Sequence, residues 1–190
     1  MFMIREPNDQ DVARFIASQR DLPYTYAEVG ATNAAPPRSY NIDHNRIQLG
    51  AGEATYQRAV EALKQWRHFE LGWVAIVPQG VRVEVGATVA VKARAFGTWS
   101  LNASRVVYTR EESKRFGFAY GTLPDHVEKG EERFLVEWLT NDSVWYDIFA
   151  FSRPLHPLVK LSAPLARRLQ RQFARDSLRQ MKTVTTDNTD

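Results

Sequence analysis

The middle of the chain, from Trp73 to Arg153, alternates apolar and polar positions with a period of two. Short aromatic or β-branched runs are separated there by Gly, Pro, Asn and Asp, as in antiparallel strands joined by tight turns. Pro124-Asp125 and Asn141-Asp142 supply turn chemistry between successive runs. The pattern predicts about six strands, namely Trp73 to Val77, Thr88 to Phe96, Trp99 to Tyr108, Arg115 to Leu123, Arg133 to Leu139 and Val144 to Phe151.

Three other segments repeat their apolar residues at three- and four-residue steps, which is the period of an amphipathic helix. The first is capped by Asn8 or Asp9 and runs to about Arg20. The second covers Glu53 to Glu70, and the third opens at Ser162 and ends near Lys182. We therefore predict helices at both ends of the chain and one before the run of strands.

The remaining segments suggest how the 190 residues are organised. Tyr24 to Arg38 has no period and contains two prolines, which favours an ordered loop, whereas Ser39 to Leu49 alternates and predicts a further strand. We expect an N-terminal helical appendage over residues 1–23, a single domain over 24–182 and a disordered tail over 183–190.

The order of these elements predicts an α+β fold. A strand and a helix come first, a run of antiparallel strands follows, and a long helix ends the chain. An amphipathic sheet must bury its apolar face against helices, so we expect a curved antiparallel sheet of about six or seven strands that grips the C-terminal helix. This layout resembles the helix-grip fold of START lipid-transfer domains and Bet v 1-like allergens, in which the sheet and terminal helix enclose an apolar cavity.

Several short motifs follow one another along the chain: Glu28-Val29-Gly30-Ala31-Thr32, Leu49-Gly50-Ala51-Gly52, the helix ending in Trp66, the run from Arg115 to His126, Gly130-Glu131-Glu132-Arg133-Phe134 and Ala150-Phe151-Ser152-Arg153-Pro154. In this order they resemble uncharacterised protein family 0548, a domain-of-unknown-function family. The resemblance covers roughly Tyr24 to Met181. It implies no established reaction, cofactor or ligand, so the function has to be argued from the site.

Composition excludes several classes of protein. The chain has no cysteine, which removes disulfide scaffolds, thiolate nucleophiles and cysteine-ligated metal centres. Its longest apolar runs, such as Gly72 to Pro78, are far shorter than the roughly 20 residues that span a bilayer. Charged residues at positions 5, 6, 9 and 11 interrupt any secretory signal. We expect a cytoplasmic protein, and because no phosphate-binding glycine motif is complete, we predict no cofactor.

Acid and base chemistry has one candidate region, around the hairpin that begins at Arg115. Phe116, Phe118, Tyr120 and Thr122 share one face of its first strand, and small residues occupy the other. The hairpin loop places Asp125, His126 and Glu128 together. With the neighbouring strand residues, Tyr120, Asp125, His126 and Glu132 are the candidates for proton transfer. Core packing and a polar turn explain the same residues equally simply. No metalloprotease spacing is present, so we predict no metal site.

An open interior would be lined by aromatic side chains with a few polar anchors. Candidates on the predicted strands are Trp99, Phe118, Tyr120, Trp138 and Tyr146, with Asn102 or Arg153 at a polar end. Plain core filling is the alternative. A one-residue error in strand register would move any of these side chains to the other face.

The C-terminal helix carries a basic stripe of Arg168, Arg171, Arg175 and Arg179, opposite Leu165, Leu169 and Phe173. Seven basic residues and one acid lie between Lys160 and Lys182, so the rest of the chain is net negative although the whole carries +3. The stripe is either a solvated face or a surface for a polyanion such as nucleic acid or an anionic membrane.

Three functions are therefore open. The first is a non-catalytic module that binds a small hydrophobic or amphipathic ligand between the sheet and the C-terminal helix. The second is an enzyme that uses the same cavity through Tyr120, His126 and the neighbouring carboxylates. The third is a polyanion-binding protein that acts through the arginine stripe. The oligomeric state is not indicated by the sequence.

Overall fold

The computed structural model describes residues 1–155 and 163–186. Within them the strands are β1 (Phe2–Met3), β2 (Asn41–Ala51), β3 (Val74–Val77), β4 (Thr88–Ala95), β5 (Thr98–Glu112), β6 (Arg115–Thr122), β7 (Glu128–Trp138) and β8 (Ser143–Pro154). The α-helices are α1 (Asp9–Gln19), α2 (Glu53–Lys64) and α3 (Ala163–Thr186). Short 3₁₀ turns cover Ala31–Asn33 and Arg67–Phe69.

The strands form one antiparallel sheet in the order β2-β8-β7-β6-β5-β4-β3, and β1 pairs with β5. All six strands predicted in the middle of the chain are present, as is the strand predicted before α2. The pairing of Phe2 with Ser100 and of Met3 with Trp99 was not predicted, because two residues show no period. α3 and α2 pack on the concave side of the sheet, so the predicted fold class, a curved antiparallel sheet gripping a C-terminal helix, is confirmed.

α2 is shorter than the segment Glu53 to Glu70 that the apolar period predicts. It ends at Lys64, and Trp66 then adopts a left-handed backbone with φ 59°. The next three residues form a 3₁₀ turn, which directs His68 and Phe69 into the interior. The apolar period continues beyond the helix because the turn buries the same side of the chain.

α3 is longer than predicted and runs to Thr186 instead of ending near Lys182. Its last turn packs on α2, where Arg58 Nε donates to the Thr185 carbonyl at 2.9 Å, and Thr185 is only 1% exposed. Residues 183–186 are therefore helical and do not belong to a disordered tail. Ser162, the predicted start of the helix, and residues 187–190 lie outside the described residues.

α1 begins with the predicted cap. The Asn8 side chain accepts the Asp11 N–H at 2.9 Å, and the Asp11 side chain accepts the Asn8 N–H at 3.1 Å. Such a reciprocal box satisfies two backbone donors at the start of a helix. The helix then packs an apolar stripe on the convex face of the sheet, where Val12, Phe15 and Ile16 meet Ala90, Leu101 and Leu123.

The loop before β2 is held on the convex face by one buried carboxylate. Glu131 is 2% exposed and accepts the Tyr26 hydroxyl at 2.7 Å, the Gly30 N–H at 2.7 Å and the Thr32 N–H at 2.9 Å. Tyr26 lies over Gly121, where a side chain would collide with its ring. Two of the sequence motifs, Glu28 to Thr32 and Gly130 to Phe134, therefore contact each other in the folded chain.

Candidate functional site

A cavity of about 860 Å³ lies between the concave face of the sheet and α3. It exists because one half of that face carries small side chains. These include Ala93, Ser100, Thr122, Gly130, Ala150 and Ser152. The helix contributes Leu165, Leu169 and Phe173, so the walls are mainly apolar.

The other half of the concave face is filled by aromatic rings. Phe118 and Phe134 are fully buried there, with ring centroids 5.3 Å apart. Phe69 stands at the boundary, 4.9 Å from Phe173 and 6.1 Å from Tyr120 between ring centroids. The interior is thus divided into a packed aromatic core and an open cavity.

The cavity is bordered by exposed apolar side chains. Phe2 is 70% exposed and Phe96 is 72% exposed, although both also line the cavity. Phe96 lies in the tight turn between β4 and β5 with φ 51°. Ile42 and Leu165 complete this apolar rim. Large apolar groups that stay exposed around a concavity are typical of ligand-binding or interaction sites.

A row of polar groups crosses the cavity wall. The strand register aligns Tyr120 with Glu132, Glu132 with Ala150, and Ala150 with Asp43. The Tyr120 hydroxyl donates to Glu132 Oε2 at 2.8 Å. Burial raises the pKa of Glu132 to about 7, and repulsion from Asp43 and Glu128 acts in the same direction. Glu132 is therefore a carboxyl group that can gain or lose a proton near neutral pH.

α3 is fastened to this wall by two polar contacts. Arg167 reaches Asp43 with both terminal nitrogens, at 2.5 and 3.1 Å. Gln170 Nε2 donates to Glu128 Oε2 at 2.7 Å and to Ser152 Oγ at 3.1 Å. These contacts place α3 against the sheet without filling the space beside it.

Two further polar side chains line the cavity. His126 Nδ1 accepts the Glu128 N–H at 3.0 Å, and burial lowers the pKa of His126 to about 4, so the ring is neutral. Asn102 is 8% exposed and donates from Nδ2 to Ser100 Oγ at 3.1 Å. Asn102 Oδ1 has no hydrogen-bond partner among the described residues.

The structure separates the aromatic residues proposed as cavity lining. Tyr120 and Asn102 line the cavity, whereas Phe118 and Tyr146 are fully buried in the aromatic core. Tyr146 is held there by a hydroxyl contact of 3.1 Å with Ser177 Oγ on α3.

Three other proposed lining residues lie away from the cavity. Trp99 is on the convex face, where Lys92 and Arg94 lie over its ring at 5.4 and 5.6 Å. Arg153 is also on the convex face, 4.5 Å from the centre of the Tyr40 ring. Trp138 stacks on Tyr56 of α2, with ring centroids 6.0 Å apart.

Of the acid and base candidates, Tyr120, His126 and Glu132 line the same cavity. Asp125 does not join them, since it is exposed and accepts Gln19 Nε2 at 3.1 Å from α1. Glu128, which the sequence analysis grouped with Asp125 and His126, lines the cavity as well. The sequence analysis did not identify Asp43 or Gln170. No sequence signal links these two residues, because they come from β2 and α3 and meet the other polar groups only in the folded chain.

The four arginines of the basic stripe, Arg168, Arg171, Arg175 and Arg179, are exposed on α3. None forms an ion pair within the described residues, and Arg171 also lines the cavity. Over residues 1–155 and 163–186, no group of three or more His, Asp or Glu is placed to hold a metal ion. No helix in the same part of the chain is long and apolar enough to cross a membrane.

Comparisons of the whole chain point to one family. The model of a domain of unknown function, DUF1990, matches residues 25–180. A UPF0548 protein of Dictyostelium discoideum is 36% identical over 203 aligned positions, covering 95% of this chain and 94% of that protein. A UPF0548 protein of Deinococcus radiodurans is 37% identical and covers 95% of this chain and 97% of that protein.

Solved structures share the fold at low sequence identity. Ara h 8.0201 aligns with a TM-score of 0.50 and 11% identity, over 78% of this chain and 99% of that one. Norcoclaurine synthase from Thalictrum flavum, solved in complex with dopamine and hydroxybenzaldehyde, aligns with a TM-score of 0.51 and 9% identity, over 80% and 89%. The fold is therefore Bet v 1-like. On the matches to the family model and to both relatives, the chain belongs to the UPF0548 family, whose domain is DUF1990.

Proposed function

We propose that this protein is a non-catalytic binding module that holds a small hydrophobic or amphipathic molecule in the cavity between its sheet and α3. The observation that carries the proposal is the cavity itself, with a volume of about 860 Å³ and an exposed apolar rim. Binding sites for small molecules are typically concave, mainly apolar and roughly 300–1,000 Å³ in volume, with a few polar groups that orient the ligand.

Two further observations support this proposal. Polar groups of the cavity include the row from Tyr120 to Asp43, and the helix α3 contributes apolar side chains, as expected for a site with an orienting polar wall and an apolar one. A structure of the same fold, norcoclaurine synthase, is described in complex with two small aromatic molecules. That complex supports the proposal, because it is an example of small-molecule binding by a protein of this fold.

Titration with the neutral apolar dye Nile red tests the proposal. We expect saturable enhancement of its fluorescence with one site per chain. Ala150→Phe and Ala93→Phe each place a large ring inside the cavity and should abolish binding, because both positions line it. The matched control Thr109→Phe adds the same ring at an exposed position of β5 and should bind as the parent does. Equal binding by all four proteins would place the dye elsewhere and refute the proposal.

An enzyme that uses the same cavity is the second candidate, favoured by the Tyr120–Glu132 pair at 2.8 Å. A carboxyl group with a pKa of about 7 is suited to proton transfer at neutral pH. The test is incubation with 2-dodecanone in D₂O, followed by mass spectrometry for deuterium at the carbon next to the carbonyl. Exchange that Glu132→Gln abolishes supports catalysis; exchange that is the same with Glu132→Gln argues against it.

The basic stripe supports a third proposal, the binding of a nucleic acid or an anionic membrane by Arg168, Arg171, Arg175 and Arg179. Contacts between arginines and phosphates release counterions, so such binding weakens steeply as salt rises. A salt series with single-stranded DNA and with phosphatidylserine vesicles distinguishes the two surfaces. Absent binding, or binding that does not depend on salt, would remove this proposal.

A further inference from the structure

The cavity contains more acidic than basic groups. The charged and titratable side chains that line it within the described residues are Asp43, His44, Tyr120, His126, Glu128, Glu131, Glu132 and Arg171. Asp43 is paired with Arg167, and Glu131 is held by donors of the convex loop. Glu128 and Glu132 remain, and in the described part of the chain each is hydrogen-bonded by a neutral side chain, Gln170 and Tyr120 respectively.

A carboxylate in an apolar wall is stabilised by a neighbouring cation, since burial alone disfavours its charged form. Glu128 is 6% exposed, and Glu132 lies two rows further along the same face of β7, beyond Gly130. Burial is the main cause that raises the pKa of Glu132, and repulsion from Asp43 and Glu128 acts in the same direction, so this wall disfavours the charged form of Glu132. A positive group beside Glu132 would relieve both effects.

A second, independent residue of the cavity lining also offers an acceptor. Asn102 is more than nine-tenths buried, and its Oδ1 has no donor among residues 1–155 and 163–186. A buried acceptor without a partner is unfavourable. Asn102 Oδ1 and the two carboxylates are all acceptors. A ligand that complements this cavity therefore carries a hydrogen-bond donor, and beside the carboxylates a cationic one.

We propose that the ligand of this cavity is an amphiphile that carries a basic amine, with its ammonium group beside Glu132, on the wall that also carries Glu128. This inference rests on the proposed function, because it concerns the occupant of the same cavity. The apolar part of the ligand lies against Leu169 and Phe173 of α3 and extends to the apolar rim. Arg171 is exposed at the edge of the cavity, so a fatty acid is the competing class of ligand.

The experiment compares three ligands that share one chain and differ in the head group: dodecylamine, dodecan-1-ol and dodecanoate. Each displaces Nile red from the full chain at neutral pH. We expect the amine to bind about tenfold more tightly than the alcohol, as a hydrogen-bonded ion pair requires. Glu132→Gln preserves the size of the side chain and should bring the amine to within about twofold of the alcohol.

Three variants make the result interpretable. Glu128→Gln should also reduce the preference for the amine, and it replaces Glu132→Gln if that protein does not fold. Glu84→Gln removes an exposed carboxylate and should leave the preference intact. Ala150→Phe fills the cavity and should bind neither Nile red nor any of the three ligands. In the three glutamate-to-glutamine variants, binding of the alcohol shows that the cavity is formed.

The possible outcomes distinguish failure of this inference from failure of the proposed function. Tighter binding of the amine that is lost in Glu132→Gln or Glu128→Gln supports the inference. Equal binding of the three ligands, or tighter binding of dodecanoate, overturns it and leaves the proposed function in place. A preference for the amine that survives both substitutions overturns the assignment to these carboxylates. Failure of all three ligands and of Nile red to bind overturns the proposed function as well.

Discussion

We expect acid to destabilise this protein through a histidine that lies in its aromatic core. His68 is 0% exposed, and the nearest ring centroids, those of Phe134 and Phe69, are 4.6 and 4.7 Å away. Neither ring nitrogen has a hydrogen-bond partner among the described residues. Burial therefore lowers the pKa of His68 from 6.5 to about 3. The folded protein keeps this ring neutral over a pH range in which the unfolded chain protonates it.

The size of the effect follows from the two pKa values. Between pH 6.5 and 3 the unfolded state binds one more proton than the folded state at this position, so the free energy of unfolding decreases as pH falls. The slope is about 1.4 kcal/mol per pH unit. From neutral pH to about pH 5 the loss from His68 alone is about 2 kcal/mol, which is a large part of a typical domain's stability.

The assay is urea unfolding, followed by tryptophan fluorescence at several pH values, for the parent and His68→Leu. The difference between their free energies of unfolding should shift in favour of the variant by about 2 kcal/mol between neutral pH and about pH 5. His126 and Glu132 titrate in both proteins and cancel in this difference. The difference in free energy of unfolding at neutral pH reflects the change in packing, so only the change of this difference with pH tests the prediction.

A substitution in the same core provides the control. Phe69→Leu removes buried ring area next to His68 and should lower stability by an amount that does not change with pH. If the profiles of the parent and His68→Leu run parallel over the whole range, His68 is not held neutral by the core and the reasoning is refuted.

Three further predictions concern other parts of the chain. Glu131→Gln removes the charge that accepts four convex-face donors and should lower the free energy of unfolding by about 3 kcal/mol in urea. The exposed Glu84→Gln should change it little. Asn8→Ala removes the cap of α1 and should cost about 1 kcal/mol in the same assay, and an unchanged midpoint would contradict the capping geometry. The affinity for dodecylamine should rise as pH increases through about 7 and then level off, because Glu132 becomes charged there; calorimetry at several pH values measures this, and a flat profile would contradict it.

Local patterns of the sequence predict most of the secondary structure. Alternation of apolar and polar residues locates every strand from β2 to β8, since a sheet with one buried face requires that period. The cap at Asn8 predicts the start of α1, because capping is satisfied by residues close in sequence. The left-handed turn at Trp66 has no such local signature, and it is stabilised by the burial of His68 and Phe69 in the aromatic core.

The candidate lining residues show where reasoning from the sequence stops. Trp99 and Asn102 are three positions apart on one strand, so they face opposite sides and only one of them can line the cavity. Its aromatic side chain made Trp99 as good a candidate for the cavity lining as Asn102, but the structure places Trp99 against Lys92 on the convex face. Tyr146 has the correct parity, yet it lies in the filled half of the sheet. The face on which a side chain lies, and whether that part of the sheet is filled or open, both depend on pairing with neighbouring strands.

The sequence by itself determined the α+β class, the antiparallel strands and the helices at both ends of the chain. Each of these features follows from the spacing of apolar residues within one helix or one strand. Only the tertiary structure decided that a cavity exists. Its volume is the space left when Ala150 and Ser152 of β8, Ala93 of β4 and Phe173 of α3 come together. No local pattern in the sequence predicts how closely these elements pack. The same holds for Glu132, whose pKa depends on burial and on Asp43, a residue from a distant strand.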